Sequence, residues 1–398
     1  MVIHHMTLIC STTAGTPRAA RTGGGRFAAR LRRLAVAGAL AAMPLGALAA
    51  PPRYHVTVLP AVPGQPYVLG MNESSDIVAA FATAGLHSAV LYSAAGMTLL
   101  PTPPGSDSAY AADLNETGLI VGAANNWQAL YWQGGVSDYL PGGGERDIMG
   151  ANGVNAAGEI VGSWDYLAAY WPSAQSPVQF LPSISQSGTA MAYAINDAGQ
   201  IAGGASNSGH VVAVRWAHAG AAPTVIGCLP DSSGCEALAI NSAGDLAGRS
   251  FFPPGTSSAR AMFYDEAAGQ LVELGGEYSV AFGINDAQAV VGAFGESEYP
   301  AAGLRGFLWL DGTMYDLNDL VDSSTVQISA VTKAVAINNA SQIAVEVILP
   351  SGELRAARLT PLGAVAVPAV SVPGLAATAL VLAALGIQLL RRRLPGTG

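Results

Sequence analysis

Between residues 53 and 362, apolar residues come in short runs separated by Gly, Asn, Asp and Ser, a pattern of strands joined by tight turns rather than of helical bundles. The runs recur as one unit. Its clearest copy reads Ala192-Tyr193-Ala194-Ile195-Asn196-Asp197-Ala198-Gly199-Gln200-Ile201-Ala202-Gly203. The marker asparagine returns at Asn72, Asn115, Asn155, Asn196, Asn241, Asn285 and Asn338, at intervals of 43, 40, 41, 45, 44 and 53 residues. Three residues after the marker stand Gly118, Gly158, Gly199 and Gly244; seven after it stand Gly122, Gly162, Gly203, Gly248 and Gly292. The first copy has Ser75 and Ala79 at these positions and the last has Ser341 and Val345, as terminal repeats often depart from the consensus.

Each copy holds four apolar runs. The first ends at the marker, and Asn-x-x-Gly turns the chain because Asn and Gly tolerate left-handed backbone angles. The second is short, as in Glu159-Ile160-Val161-Gly162, and the third ends in aromatics, as in Leu130-Tyr131-Trp132 and Ala169-Tyr170-Trp171. These aromatics are expected in the core between units. Fourth runs lie near Thr98, Val136, Val178, Val225, Val272 and Tyr315. Four strands in ~40–45 residues is the size of a propeller blade. The seventh unit stops after its third run, at Leu359, while an unclaimed strand, Tyr54–Leu59, precedes the first unit. Pairing the two closes a ring and removes an open edge. The expected fold is therefore all-β: a seven-bladed propeller over 53–362, closed by its N-terminal strand. A solenoid would call for end caps instead.

Charge sharpens the picture. Only 11% of the 398 residues are charged, against roughly 25% in ordinary soluble domains. All 27 acidic residues lie between Glu73 and Glu353, and nine basic residues lie between Arg53 and Arg358, so the body carries −18 within a chain of net charge −9. Such a body repels phosphate backbones, which excludes nucleic acid as a partner. Of the three cysteines, Cys10 precedes the body; Cys228 and Cys235 flank a turn-like Leu-Pro-Asp-Ser-Ser-Gly. An oxidising compartment would join them; the alternative is two free thiols. Zinc is rejected for want of neighbouring His or Cys ligands, and no cofactor is expected.

The ends read as addresses. Basic Arg26–Arg33, apolar Leu34–Leu48 and small Ala47-Leu48-Ala49 form a secretory signal over 1–50, a substrate for signal peptidase. Residues 363–373 form a linker. The uncharged stretch 374–390 spans about 26 Å as a helix at ~1.5 Å per residue. That suits a transmembrane helix whose flank, Arg391, Arg392 and Arg393, reaches the interface and holds the 391–398 tail in the cytoplasm. Val367-Pro368-Ala369-Val370-Ser371-Val372-Pro373-Gly374-Leu375, then the apolar helix and the arginines, resembles the PEP-CTERM class of sorting signals. It is most similar to the variant opening Ile-Pro-Thr-Leu-Ser-Glu-Trp-Gly-Leu, with Val367, Pro368, Ser371 and Gly374 at matching places. Val372 and Pro373 replace the Glu and Trp. The resemblance implies a Gram-negative source and an exosortase-like transpeptidase as partner. The repeats, in Arg305-Gly306-Phe307-Leu308-Trp309 and Met314-Tyr315-Asp316-Leu317, resemble the bacterial extracellular HAF repeats, which implies secretion and a β-rich fold but no reaction.

Candidate chemistry is sparse. Asn196-Asp197 and Asn285-Asp286 look like fragments of calcium loops, but Asn115-Glu116, Asn155-Ala156 and Asn241-Ser242 break the pattern, so the asparagines are read as turn residues. Trp127, Trp164 and Tyr166 fall between second and third strands, where aromatics either pack at a blade rim or stack on sugars. His55, His87, His210 and His218 form no recognisable catalytic arrangement. Acidic residues fall mainly in turns, where solvation accounts for them. The expected function is a non-enzymatic binding or structural propeller at the cell surface or in the extracellular matrix, with exopolysaccharide or surface glycans as candidate partners. The alternative is a secreted carbohydrate-active enzyme, whose carboxylates would converge on the central channel.

Overall fold

In the computed structural model, the repeated runs become seven four-stranded antiparallel sheets. The residues described are 51–363 without 125–127, 143–149, 186–187, 208, 253–258, 276–277, 296–302, 323 and 325. The leader, Trp127, Val367, Pro368, Ser371, Gly374, Arg391, Arg392 and Arg393 therefore lie outside them. Among the described residues no helix is long and apolar enough to cross a membrane; 374–390 is not among them.

Blade 1 runs through Pro66–Met71, Ile77–Thr83, Leu86–Ser93 and Gly96–Leu99, and blades 2 to 6 follow in order, from Ala109 to Tyr139, Ala151 to Phe180, Ala190 to Val225, Gly234 to Gly275 and Ser279 to Asp316. Blade 7 is built from both ends of the domain: Ala330–Ile337, Ile343–Ile348, Leu354–Pro361 and, outermost, Tyr54–Val58. The closing pair is antiparallel, with Tyr54 facing Pro361 and Val58 facing Ala357. Tyr54 and Val56 are fully buried beneath it. The seven-bladed propeller closed by its N-terminal strand is the fold of this chain.

Burial follows strand position. Second strands such as Ile120–Ala124 are buried at every residue because neighbouring blades cover both faces, which is why they read as unbroken apolar runs. Fourth strands are the most exposed, Gly96–Leu99 at every residue, while the closing strand Tyr54–Val58 still buries Tyr54 and Val56. The apolar clusters join adjacent blades: Val68, Ile77, Phe81 and Tyr92 of blade 1 pack with Val335, Ala344 and Ala356 of blade 7. Trp132, Trp171 and Trp216, at the ends of third strands, are buried between blades, as their spacing implied.

A feature absent from the sequence pattern is a bulge near the end of every first strand, as between Ala111 and Asp113 or Ala237 and Ala239. It pushes a carbonyl against the second strand. A Cβ on Gly122, Gly162, Gly203, Gly248 or Gly292 would lie 2.0–2.2 Å from that carbonyl oxygen, so the glycine seven residues after the marker answers a close backbone approach.

Candidate functional site

First strands end at the marker asparagines, so these line the mouth of the central channel. Each Asn closes its own turn: its side-chain oxygen accepts the backbone N–H four residues on, from Asp76, Leu119, Glu159, Gln200, Asp245, Ala289 and Gln342. The third residue after the marker has positive φ in all seven copies, including Ser75 (68°), Gln288 (58°) and Ser341 (57°), where glycine is missing.

The side-chain N–H of each Asn then reaches the next blade. Asn72 donates to the carbonyl of Asn115 (3.3 Å), Asn115 to Asn155 (2.8 Å), Asn155 to Asn196 (3.1 Å), Asn196 to Asn241 (2.8 Å), Asn241 to Asn285 (3.2 Å) and Asn285 to Asn338 (3.1 Å). Asn338 completes the circle on the carbonyl of Glu73 at 3.4 Å. The markers are turn residues, as read from the sequence, and also the fasteners between blades.

A second ring lies one residue further out. Glu116 accepts the Glu73 N–H at 2.6 Å and the Ser74 hydroxyl at 2.7 Å. Asp197 accepts the Ala156 N–H, Asp286 the Ser242 N–H, Asn339 the Asp286 N–H, and Glu73 the Asn339 N–H, all at 2.8–2.9 Å. The two remaining steps lead to Ala156 and Ser242, which bring no carboxylate or amide. Solvation in turns is thus an incomplete account of these acids: their carboxylates bind the backbone of the adjoining blade. Burial raises the Glu73 pKa, and the charges of Glu116, Asp286 and Asp197 raise it further, against the Asn339 N–H that lowers it.

Deeper in the channel, Asp113 accepts the Val154 N–H at 3.0 Å. Asp113 is half-buried and lines the channel mouth. Burial pushes its pKa up to about 7, more than its backbone hydrogen bonds lower it. The mouth encloses about 270 Å³. A second cleft of about 470 Å³, between blades 3 and 4, gathers Glu159, Tyr170, Asp197 and His218. Among the described residues no group of three or more His, Cys, Asp or Glu is placed to hold a metal ion.

The loop aromatics divide. Trp164 is not in a loop but ends the strand Ile160–Trp164, where its ring meets Phe180 edge-on at 6.3 Å and packs beside Leu119, Leu140 and Trp171. Tyr166 sits in the turn itself, with φ of 63° and half its surface exposed. Strand alternation puts this turn on the face opposite the channel mouth. Cys228 and Cys235 form a disulfide across the connection from blade 4 to blade 5. On comparable connections the indole N–H of Trp132, Trp171 and Trp216 donates to the carbonyls of Pro101, Pro141 and Pro182, at 2.7–3.1 Å, and the Tyr92 hydroxyl donates to that of Pro60 at 3.2 Å. The recurring Leu-Pro after each of these fourth strands is the signal that could have revealed these bonds.

No family model matches the chain, and no curated protein matches it. Solved structures do. An oligogalacturonate lyase in complex with manganese superposes with a TM-score of 0.51 at 10% identity, over 79% of this chain and 97% of that one. Oligogalacturonate lyase from Vibrio parahaemolyticus gives 0.52 at 10% identity, over 77% and 93%. The extracellular domain of a one-component system from B. thetaiotaomicron gives 0.47 at 10% identity; it covers 76% of this chain, which spans 39% of that protein. What is shared is the fold. The manganese of the first neighbour finds no matching donor set among the described residues here.

Proposed function

We propose that this chain is an exported propeller, displayed at the cell surface or released into the extracellular matrix, that works by binding and structural support rather than catalysis. The observation that carries this reading is the use made of the channel mouth. The four carboxylates of Glu73, Glu116, Asp197 and Asp286 each accept a backbone N–H from a neighbouring blade, so the groups best placed for acid–base work hold the ring together. The signal sequence, the sorting motif and the apolar stretch 374–390 support export, membrane anchoring and handling by an exosortase-like transpeptidase. The exposed Tyr166 supports contact with glycans through ring stacking.

The enzyme reading keeps one observation in its favour: Glu73 and Asp113 both line the channel and both have raised pKa values. A uronate polymer, the substrate class in the lyases' name, would meet four carboxylates at that mouth and be repelled. A neutral or amine-bearing glycan would not. The test is to incubate the mature protein with arrayed neutral, amine-bearing and uronate glycans, following both retention and chain cleavage. Retention of the first two classes without new chain ends is expected; cleavage abolished by Asp113→Asn would overturn the reading in favour of the enzyme.

A further inference from the structure

Blades 1, 2 and 6 join their third and fourth strands by tight turns at Ala94-Ala95, Gly134-Gly135 and Asp311-Gly312. In blade 7 the same place holds the gap between the two ends of the ring: Pro361 finishes the third strand and Tyr54 begins the fourth. The ladder runs one step past both strands, since the Leu362 N–H donates to the Arg53 carbonyl at 2.7 Å. The Arg53 guanidinium in turn donates to the Val321 carbonyl at 3.4 Å. The two exits are thus fixed side by side.

Strand direction fixes the face. First strands end at the marker asparagines, so first-to-second and third-to-fourth turns lie on the channel-mouth face. Second-to-third turns and the connections between blades lie on the other. Both ends of the ring therefore leave on the channel-mouth face. Outside the ring, the apolar leader ends at Leu48, five residues before Arg53, and the uncharged stretch begins at Gly374, twelve residues after Leu362. Extended chain covers ~3.3 Å per residue, so these tethers reach about 17 and about 40 Å.

We propose that the channel-mouth face is the membrane-proximal face of this protein and that the face bearing the second-to-third turns is displayed outward. The inference rests on the reading of 374–390 as a membrane stretch. It explains how the ring can close while either end is still held in the membrane. Had the ends left on opposite faces, the short leader tether would have to be cut before Tyr54–Val58 could pair. The proximal face carries Glu73, Glu116, Asp197 and Asp286, which anionic lipid repels. The twelve residues from Leu362 to Gly374 give enough reach for that face to stand off the lipid. The outward face presents Leu86 (47% exposed), Tyr166 (50%) and Leu167 (40%) beside its turns.

The test places single cysteines in the full chain, held in the cytoplasmic membrane of spheroplasts from cells that lack a sorting transpeptidase, and follows their reaction with a bulky polymer-linked maleimide before and after detergent extraction. Ala157→Cys and Ala268→Cys mark the channel-mouth face; Leu86→Cys and Leu167→Cys mark the other. The first pair is expected to react several-fold more slowly in the membrane than in detergent, and the second pair equally in both. Equal protection of all four sites, or protection of Leu86→Cys and Leu167→Cys alone, overturns the orientation. Release of the chain by carbonate washing would instead overturn the anchoring reading, and the orientation with it.

Discussion

The side-chain N–H of Asn338 donates to the carbonyl of Glu73 at 3.4 Å, across a sequence separation of 265 residues. The other six marker asparagines each donate to the carbonyl of the following marker, so this seventh contact, one residue past Asn72, turns a chain of six links into a circle. It does at the channel mouth what the pairing of Tyr54–Val58 with Leu354–Pro361 does at the rim.

Each marker should therefore contribute twice, to its own turn and to the next blade. Asn196→Ala removes the acceptor for the half-buried Gln200 N–H and the donor to the Asn241 carbonyl, which then keeps only the Gly244 N–H. A loss of about 2–4 kcal/mol is expected from two such bonds, measured by denaturant unfolding. Asn196→Asp keeps the turn acceptor but sets a carboxylate against the Asn241 carbonyl, so it should be no better than alanine at pH 7 and should recover partly in acid.

The indole bond to proline is separable from the packing of the ring that makes it. Trp216→Phe keeps most of the buried aromatic surface and removes the N–H that reaches the Pro182 carbonyl at 2.8 Å. A cost of about 1–3 kcal/mol is expected. Calorimetry of this variant beside Trp216→Leu separates the bond from the packing.

Two substitutions at glycine-related positions should act in opposite directions. Gly248→Ala places a Cβ 2.0 Å from the Glu236 carbonyl oxygen and should destabilise by about 3 kcal/mol or more. Ser341→Gly relieves a left-handed residue (φ 57°) and should stabilise by up to about 1 kcal/mol. Denaturant midpoints decide both.

Asp113 sets a pH dependence with a definite sign. Its pKa rises from the ordinary carboxylate range to about 7 on folding, so between about pH 4 and 7 the folded state holds more protons than the unfolded one. Stability from this group is full below that window and is lost as pH rises through it. Glu73 and Glu346, both raised by burial, act in the same direction. Asp113→Asn, which keeps an oxygen for the Val154 N–H, should raise the Tm at pH 8 and leave it nearly unchanged at pH 4. Each ~1 kcal/mol corresponds to about 2–4 °C in a sizeable domain.

Most of the architecture was legible because it is local or periodic. The marker turns, the apolar second strands and the aromatic third strands each repeat with the blade, and the unclaimed strand at Tyr54–Leu59 pointed to the closure. What could not be read is what happens between blades. Nothing in Asn196-Asp197 says that the amide will find Asn241 or that the carboxylate will accept the Ala156 N–H, since those partners are set by how blades stack. The glycine seven residues after the marker is visible as a repeat, but its cause, the close approach of a bulged carbonyl as at Gly248, is set by the paired strands. Asp113 carries no motif; only the channel around it makes its carboxyl unusual. Trp164 reads as a loop aromatic because the repeat pattern does not mark where the second strand of its blade ends.

The central claim is that the N-terminal strand completes the seventh blade, and hydrogen exchange of the mature protein tests it most directly. The amides of His55, Thr57 and Leu59, which face the neighbouring strand, should be protected nearly as long as those of Arg358 and Thr360 opposite them. Both sets should lose protection together when Thr57 is replaced by Pro, which cannot donate to the ladder. Rapid exchange of His55 and Thr57 in the unaltered protein, with Leu354–Pro361 still protected against Ile343–Ile348, would contradict the closed ring.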